Sequence, residues 1–75
     1  MKNRQFAVLG LGLFGQSLAM ELYDGGADVL AVDSDADLVD SIQGRVTHAV
    51  QADATNKRGI KKIISIKFKT NSSYK

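Results

Sequence analysis

The stretch Gly10-Leu11-Gly12-Leu13-Phe14-Gly15 constrains this 75-residue chain more than any other. It fits G-x-G-x-x-G, a pattern that says little alone. Here it leaves a short apolar run, Phe6-Ala7-Val8-Leu9, and enters a segment with helical spacing of apolar residues, which is the context that gives the pattern meaning. Each glycine then has a task. Gly10 permits a tight turn out of a strand, Gly12 lets phosphate oxygens approach the backbone, and Gly15 lets the helix lie close to the sheet. The unpaired N–H groups of the helix's first turn, with the positive end of its dipole, face an anion there. Binding of this kind needs no cationic side chain.

The rest of the chain continues the same alternation. Gln5 to Leu9 reads as a strand buried on both faces of a parallel sheet. Leu11, Phe14, Leu18 and Leu22 recur at three- and four-residue steps, which predicts an apolar stripe on a helix from Leu13 to Tyr23, closed by Asp24-Gly25-Gly26. Val29-Leu30-Ala31-Val32 predicts a second buried strand over Asp28 to Val32. Ser34 with Asp37 three residues on has capping-box spacing and predicts the start of a second helix, with Leu38, Val39 and Ile42 as its apolar face and Gly44 at its end. Val46 to Ala52 alternates weakly and reads as a third strand. Strand, helix, strand, helix, strand implies parallel strands joined by right-handed crossovers. The expected fold class is α/β, a Rossmann-like half domain with strand order 3-2-1 and flanking helices. Residues 1–55 form that half, and 56–75 form a basic tail. In the tail, Ile60, Ile63 and Ile64 have helical spacing while Ile64, Ile66 and Phe68 alternate as in a strand, so both readings stay open. Thr70 to Lys75 is expected to fray.

Asp33 ends the second strand, eighteen residues beyond Gly15. A carboxylate there accepts hydrogen bonds from ribose hydroxyls and repels a 2′-phosphate, so the expected cofactor is an adenine nucleotide, NAD, ATP, ADP or AMP, and not NADP. Ser34, next to it, is counted with the sugar site as well as with the helix start. Asp35 and Asp37 suit the helix N-terminus better than a ligand. Asp53 and Ala54 follow the third strand on the same sheet edge, where they border the adenine ring; a polar turn with Asp53 capping a following helix fits as well. His48 has no carboxylate or nucleophile at a recognisable spacing, so a packed or half-exposed histidine is preferred to a catalytic one.

Composition narrows the function classes. With 44% apolar and 24% charged residues the chain is ordinary for a globular protein. No apolar run is long enough to span a bilayer, and no secretory signal opens the chain, which makes a cytoplasmic location the expectation. There is no Cys and one His, so no disulfide framework or metal-ligand cluster is available. The net charge of +2 conceals a division. Residues 1–55 carry three cations against eight acids, whereas Lys57, Arg58, Lys61, Lys62, Lys67, Lys69 and Lys75 face no acid at all. Such a tail suits nucleic acid or a membrane surface, but with only Phe68 and Tyr74 as interleaved aromatics no nucleic-acid partner is expected, nor direct membrane insertion.

Three segments in order, Gln5-Phe6-Ala7-Val8-Leu9-Gly10-Leu11-Gly12, Val29-Leu30-Ala31-Val32-Asp33 and Thr47-His48-Ala49-Val50-Gln51-Ala52-Asp53-Ala54-Thr55, resemble the N-terminal lobe of RCK domains, the regulator-of-potassium-conductance subunits of bacterial Trk and Ktr uptake systems. The resemblance covers residues 4–55. It implies a cytoplasmic regulatory subunit and not an enzyme. Adenine nucleotides at the glycine loop would bias a ring of lobes that opens or closes a membrane potassium transporter subunit, to which the protein would be peripheral. Carried over by position, Gly10, Gly12 and Gly15, with Leu11, Leu13 and Phe14 between them, would hold phosphates, Asp33 the ribose, and Asp53 with Ala54 would border adenine. The sequence departs from the pattern at Leu13, where better-known Ktr relatives have an arginine reaching the phosphates; Leu13 offers no charge, which leaves ADP, AMP and NAD open beside ATP. The resemblance also implies a truncated lobe, whose first strand is an edge where a fourth should pair, and hence a homo-oligomer or a partner supplying the other half. The alternative from the residues alone is the cofactor-binding fragment of an NAD-dependent dehydrogenase, although no Lys, His or Tyr is arranged to relay a proton.

Overall fold

The computed structural model describes residues 4–68. In chain order the elements are β1 (Gln5–Leu9), α1 (Leu13–Asp24), β2 (Asp28–Asp33), α2 (Ala36–Ile42), β3 (His48–Gln51) and α3 (Lys57–Phe68). The three strands are parallel, with β2 in the centre. Read from the far edge, this is the expected 3-2-1 order.

Alternation along the strands divides the core into two layers. Val8, Val29 and Ala31 meet Ala19 of α1 and Val39 and Ile42 of α2 on one face. Leu30 and Val32 meet Ile60 of α3 on the other. β2, the central strand, is the most enclosed: Val29 through Val32 are each fully buried, while β3 turns Ala49 toward the α2 layer and Val50 toward the α3 layer. The tail between residues 60 and 68, which the sequence left open, is helix. Ile63, Ile64 and Phe68 pack beside Ile60, and the Phe68 ring lies 6.1 Å from that of half-buried His48. The fraying expected at Thr70 to Lys75 lies outside the described residues.

Several expectations are corrected. β1 is a sheet edge and is not covered on both faces: Val8 is buried, but Ala7 and Leu9 are exposed, because α3 reaches only β2 and β3. The buried stripe of α1 is also set differently. Of the expected stripe, Leu11 is fully buried and Leu22 packs partly against the core, but Phe14 is 80% and Leu18 38% exposed, and Ala19 is fully buried instead. Small residues face the sheet because the helix lies so close to it. β3 is shorter than Val46 to Ala52, since Thr47 turns its hydroxyl to accept the Val29 amide at 2.8 Å instead of joining the ladder. Finally, Ser34 does not cap α2. Asp35 does, its carboxylate accepting the Asp37 amide at 2.9 Å.

Candidate functional site

Parallel strands bring all their C-terminal ends to one sheet edge, which is where ligands bind in such folds. Two backbone bonds continue the ladder past the strands. Gly10 N–H donates to Val32 O at 2.8 Å and Ala52 N–H donates to Asp33 O at 3.0 Å. The glycine loop, Asp33 and the Asp53 turn therefore stand side by side, as the spacing predicts.

The three glycines differ in what their surroundings demand. Gly10 has φ +103°, a conformation in which a side chain is strained. Gly15 is fixed by contact: a Cβ there would overlap the Gly10 carbonyl oxygen and come within 3.1 Å of its carbon. Gly12 is unlike both. It caps α1 at φ −63° and ψ −176°, ordinary extended backbone, and a Cβ added to it would meet nothing within 4 Å. The protein's own packing gives no reason for glycine at that position, which is exposed and faces open space. The first turn of α1 frames this space. No side chain caps it, and its first internal bond runs from Gln16 N–H to Gly12 O at 2.9 Å, so the preceding amides are turned out of the helix. These donors can bind an anion such as a pyrophosphate. Leu13, 87% exposed, adds no charge.

Asp33 is tied into the loop rather than merely near it. One carboxylate oxygen accepts the Leu11 amide at 2.6 Å and the other accepts the Asp35 amide at 2.9 Å. The Leu11 bond foremost, then the Asp35 bond, holds its carboxyl below the ordinary 3.8. A carboxylate offers about four acceptor positions, so capacity remains for a sugar diol. The same contact to Asp35 explains why α2 starts one residue later than the capping-box spacing implies. Ser34 is exposed, and its carbonyl accepts the Gln51 side chain at 3.2 Å. The Asp53 carboxylate accepts both the amide and the hydroxyl of Thr55, at 2.9 and 2.6 Å, with the hydroxyl the larger cause of its lowered pKa. Asp53 does not cap α3; Asn56 does, accepting the Gly59 amide at 3.0 Å. Ala54 packs partly into the α3 layer.

The residues thus brought together are Gly10 to Gly15, Asp33, Ser34, Asp53 and Ala54. Sequence reasoning missed the supports: Gln16, whose side chain donates to Leu11 O at 3.1 Å, and Gln51. A glutamine in a helix or strand carries no signal of such a task. A depression lined by Met20, Tyr23, Asp24, Gly44 and Arg45 lies at the opposite end of the sheet. It offers one guanidinium, in contact with Met20 sulfur at 3.6 Å, and no helix N-terminus. Among the described residues no group of His, Cys, Asp or Glu could hold a metal ion, and no helix is long and apolar enough to cross a membrane.

Comparison with known proteins converges on the same segment. The TrkA-N domain family matches residues 6–69, through the end of α3, so the likeness extends beyond the expected 4–55. The chain is 51% identical over 55 residues to Ktr system potassium uptake protein A of Bacillus subtilis (strain 168), covering 73% of this chain and 25% of that protein. It is 43% identical over 58 residues to the Vibrio alginolyticus protein of the same name, covering 77% and 26%. With Ktr system potassium uptake protein C of Bacillus subtilis it shares 38% over 61 residues, covering 81% and 28%. The chain spans about a quarter of the length of these curated relatives.

Proposed function

The chain belongs to the TrkA-N domain family, and on that premise we propose that it is an adenine-nucleotide-binding regulatory module of a potassium uptake system. The observation that carries the reading is the open space at Gly12 beside the uncapped first turn of α1, with Asp33 bonded to the neighbouring Leu11 amide. The phosphates lie on the amides of the first turn, the ribose hydroxyls donate to Asp33, and the adenine edge lies against Asp53 and Ala54. No reaction is assigned, since the residues gathered at this edge bind and orient but offer no proton relay.

Regulation follows from differential affinity: a nucleotide shifts a transporter between states only by as much as it binds those states differently. Asp33 supplies a lever, because it joins the sugar site to the backbone of the glycine loop through Leu11. The transporter subunit is the membrane partner, the module is cytoplasmic and peripheral to it, and the open edge of β1 suits assembly with further copies or a completing segment. The relatives are named as potassium uptake proteins, which supports the transport context. Calorimetry with ATP, ADP, AMP, NADH and NADPH tests the reading. Binding of the first four with NADPH weakest is expected; NADPH binding tighter than NADH removes Asp33 from its role, and no binding at all removes the proposal.

A further inference from the structure

The nucleotide site leaves the outer face of α3 unused. One side of this helix packs on the sheet through Ile60, Ile63, Ile64 and Phe68. Apart from half-buried Gly59, its remaining residues, Lys57, Arg58, Lys61, Lys62, Ser65, Ile66 and Lys67, are all exposed. Arg58, Lys62 and Ile66 fall in one i, i+4 row, with Lys61 and Ser65 in the next. Ile66 is 60% exposed in the midst of these cations. No acidic residue follows Asp53 in the chain. The exposed acids of the helices, Glu21 and Asp24 on α1 and Asp37 and Asp40 on α2, belong to the layer across the sheet. The molecule is therefore electrically two-sided, positive over α3 and negative over α1 and α2.

We propose that the α3 face adsorbs to the surface of an anionic lipid bilayer. Charge complementarity carries the attraction, because each Lys or Arg held at an anionic surface raises partitioning about fivefold. The acidic layer points away and does not oppose it. Ile66 decides between lipid and nucleic acid. An apolar side chain set among cations gains by entering the acyl boundary, whereas a phosphate backbone offers it nothing. The face also lacks an exposed aromatic on which a base could stack, since Phe68 is turned inward toward His48. Four of its five cations are lysines, point charges suited to headgroups without the forked geometry of base recognition. Adsorption here leaves the nucleotide edge of the sheet accessible, and it stands whether or not a nucleotide binds.

Co-sedimentation of the full chain with vesicles tests the proposal. Phosphatidylcholine vesicles containing phosphatidylglycerol should pull the protein down at low salt and release it near about 1 M salt, where charges are screened within a few ångströms. Vesicles of phosphatidylcholine alone should not. The double variant Lys61→Gln, Lys62→Gln should weaken partitioning about 25-fold at low salt, and Ile66→Ser should weaken it at every salt concentration at which the parent binds, both with an unchanged circular dichroism spectrum. Equal binding to both vesicle types, no binding to the anionic ones, indifference to the lysine variants, or tighter binding to duplex DNA at matched anion concentration would each overturn it.

Discussion

Substituting alanine at Gly12 and at Gly15 separates ligand binding from folding within one loop. At Gly15 the new Cβ collides with the backbone carbonyl of Gly10, which no rotamer change can relieve, so α1 must lift from the sheet. Overpacking of this kind costs about 1–3 kcal/mol or more, and for a chain this small each kcal/mol lowers Tm by roughly 4–8 °C. A fall of roughly 10 °C is expected. At Gly12 the Cβ meets nothing and φ is ordinary for alanine. Opposing effects at a cap position, slightly poorer capping and a less flexible unfolded chain, leave stability within about 1 kcal/mol of the parent. In the proposed binding mode, the methyl group would take the place of a phosphate oxygen. Losing one charge-assisted hydrogen bond, about 1.5–3 kcal/mol, weakens nucleotide binding by at least about tenfold. Thermal melts followed by circular dichroism, with calorimetry using ADP and NADH, read both effects. A Gly12→Ala variant that binds like the parent, or a Gly15→Ala variant that melts with it, refutes the division of labour.

Asp33→Asn keeps an oxygen for the Leu11 amide but removes the charge that opposes a 2′-phosphate; the ratio of NADPH to NADH affinity should rise by about tenfold or more in competitive calorimetry. Because the Asp33 and Asp53 carboxyls are held below 3.8, their stabilising contribution is complete above that value and disappears as pH falls through the lowered values. Melting temperature should therefore drop on the acid side of 3.8, and Asp33→Asn should shrink that drop. Leu30→Ala, at a fully buried position of the central strand, should cost about 2–5 kcal/mol. Against a total of roughly 4–11 kcal/mol for a chain of this length, that is about half the stability, and denaturant titration should show the unfolding midpoint lowered by roughly half.

The alternation of elements was legible because glycines and acids punctuate the apolar runs at each strand end. Asp33 was legible because one strand length separates it from the helix that follows the glycine loop. The face of α1 was not. Counting apolar residues selects Leu11 and Leu22 correctly but adds Phe14 and Leu18, where close packing on the sheet instead selects Gly15 and Ala19, whose smallness matters more than their hydrophobicity. The start of α2 was misplaced because Asp33 accepts the Asp35 amide and Asp35 in turn accepts the Asp37 amide, a relay that sets the cap at Asp35 and not at Ser34. The Leu11 amide bond that locks Asp33 to the loop spans 22 residues. Sequence spacing can bring such groups to one edge but cannot show which atoms meet.

Titrating ADP into isotopically labelled protein and following each backbone amide by NMR tests the central claim most directly. The amides of Gly10 to Gly15, together with Asp33 and Ser34, should shift with a single saturable affinity while those around Arg45 stay in place. Amides of the glycine loop that remain unmoved at saturating ADP, or shifts centred on Met20, Tyr23 and Arg45 instead, would contradict it.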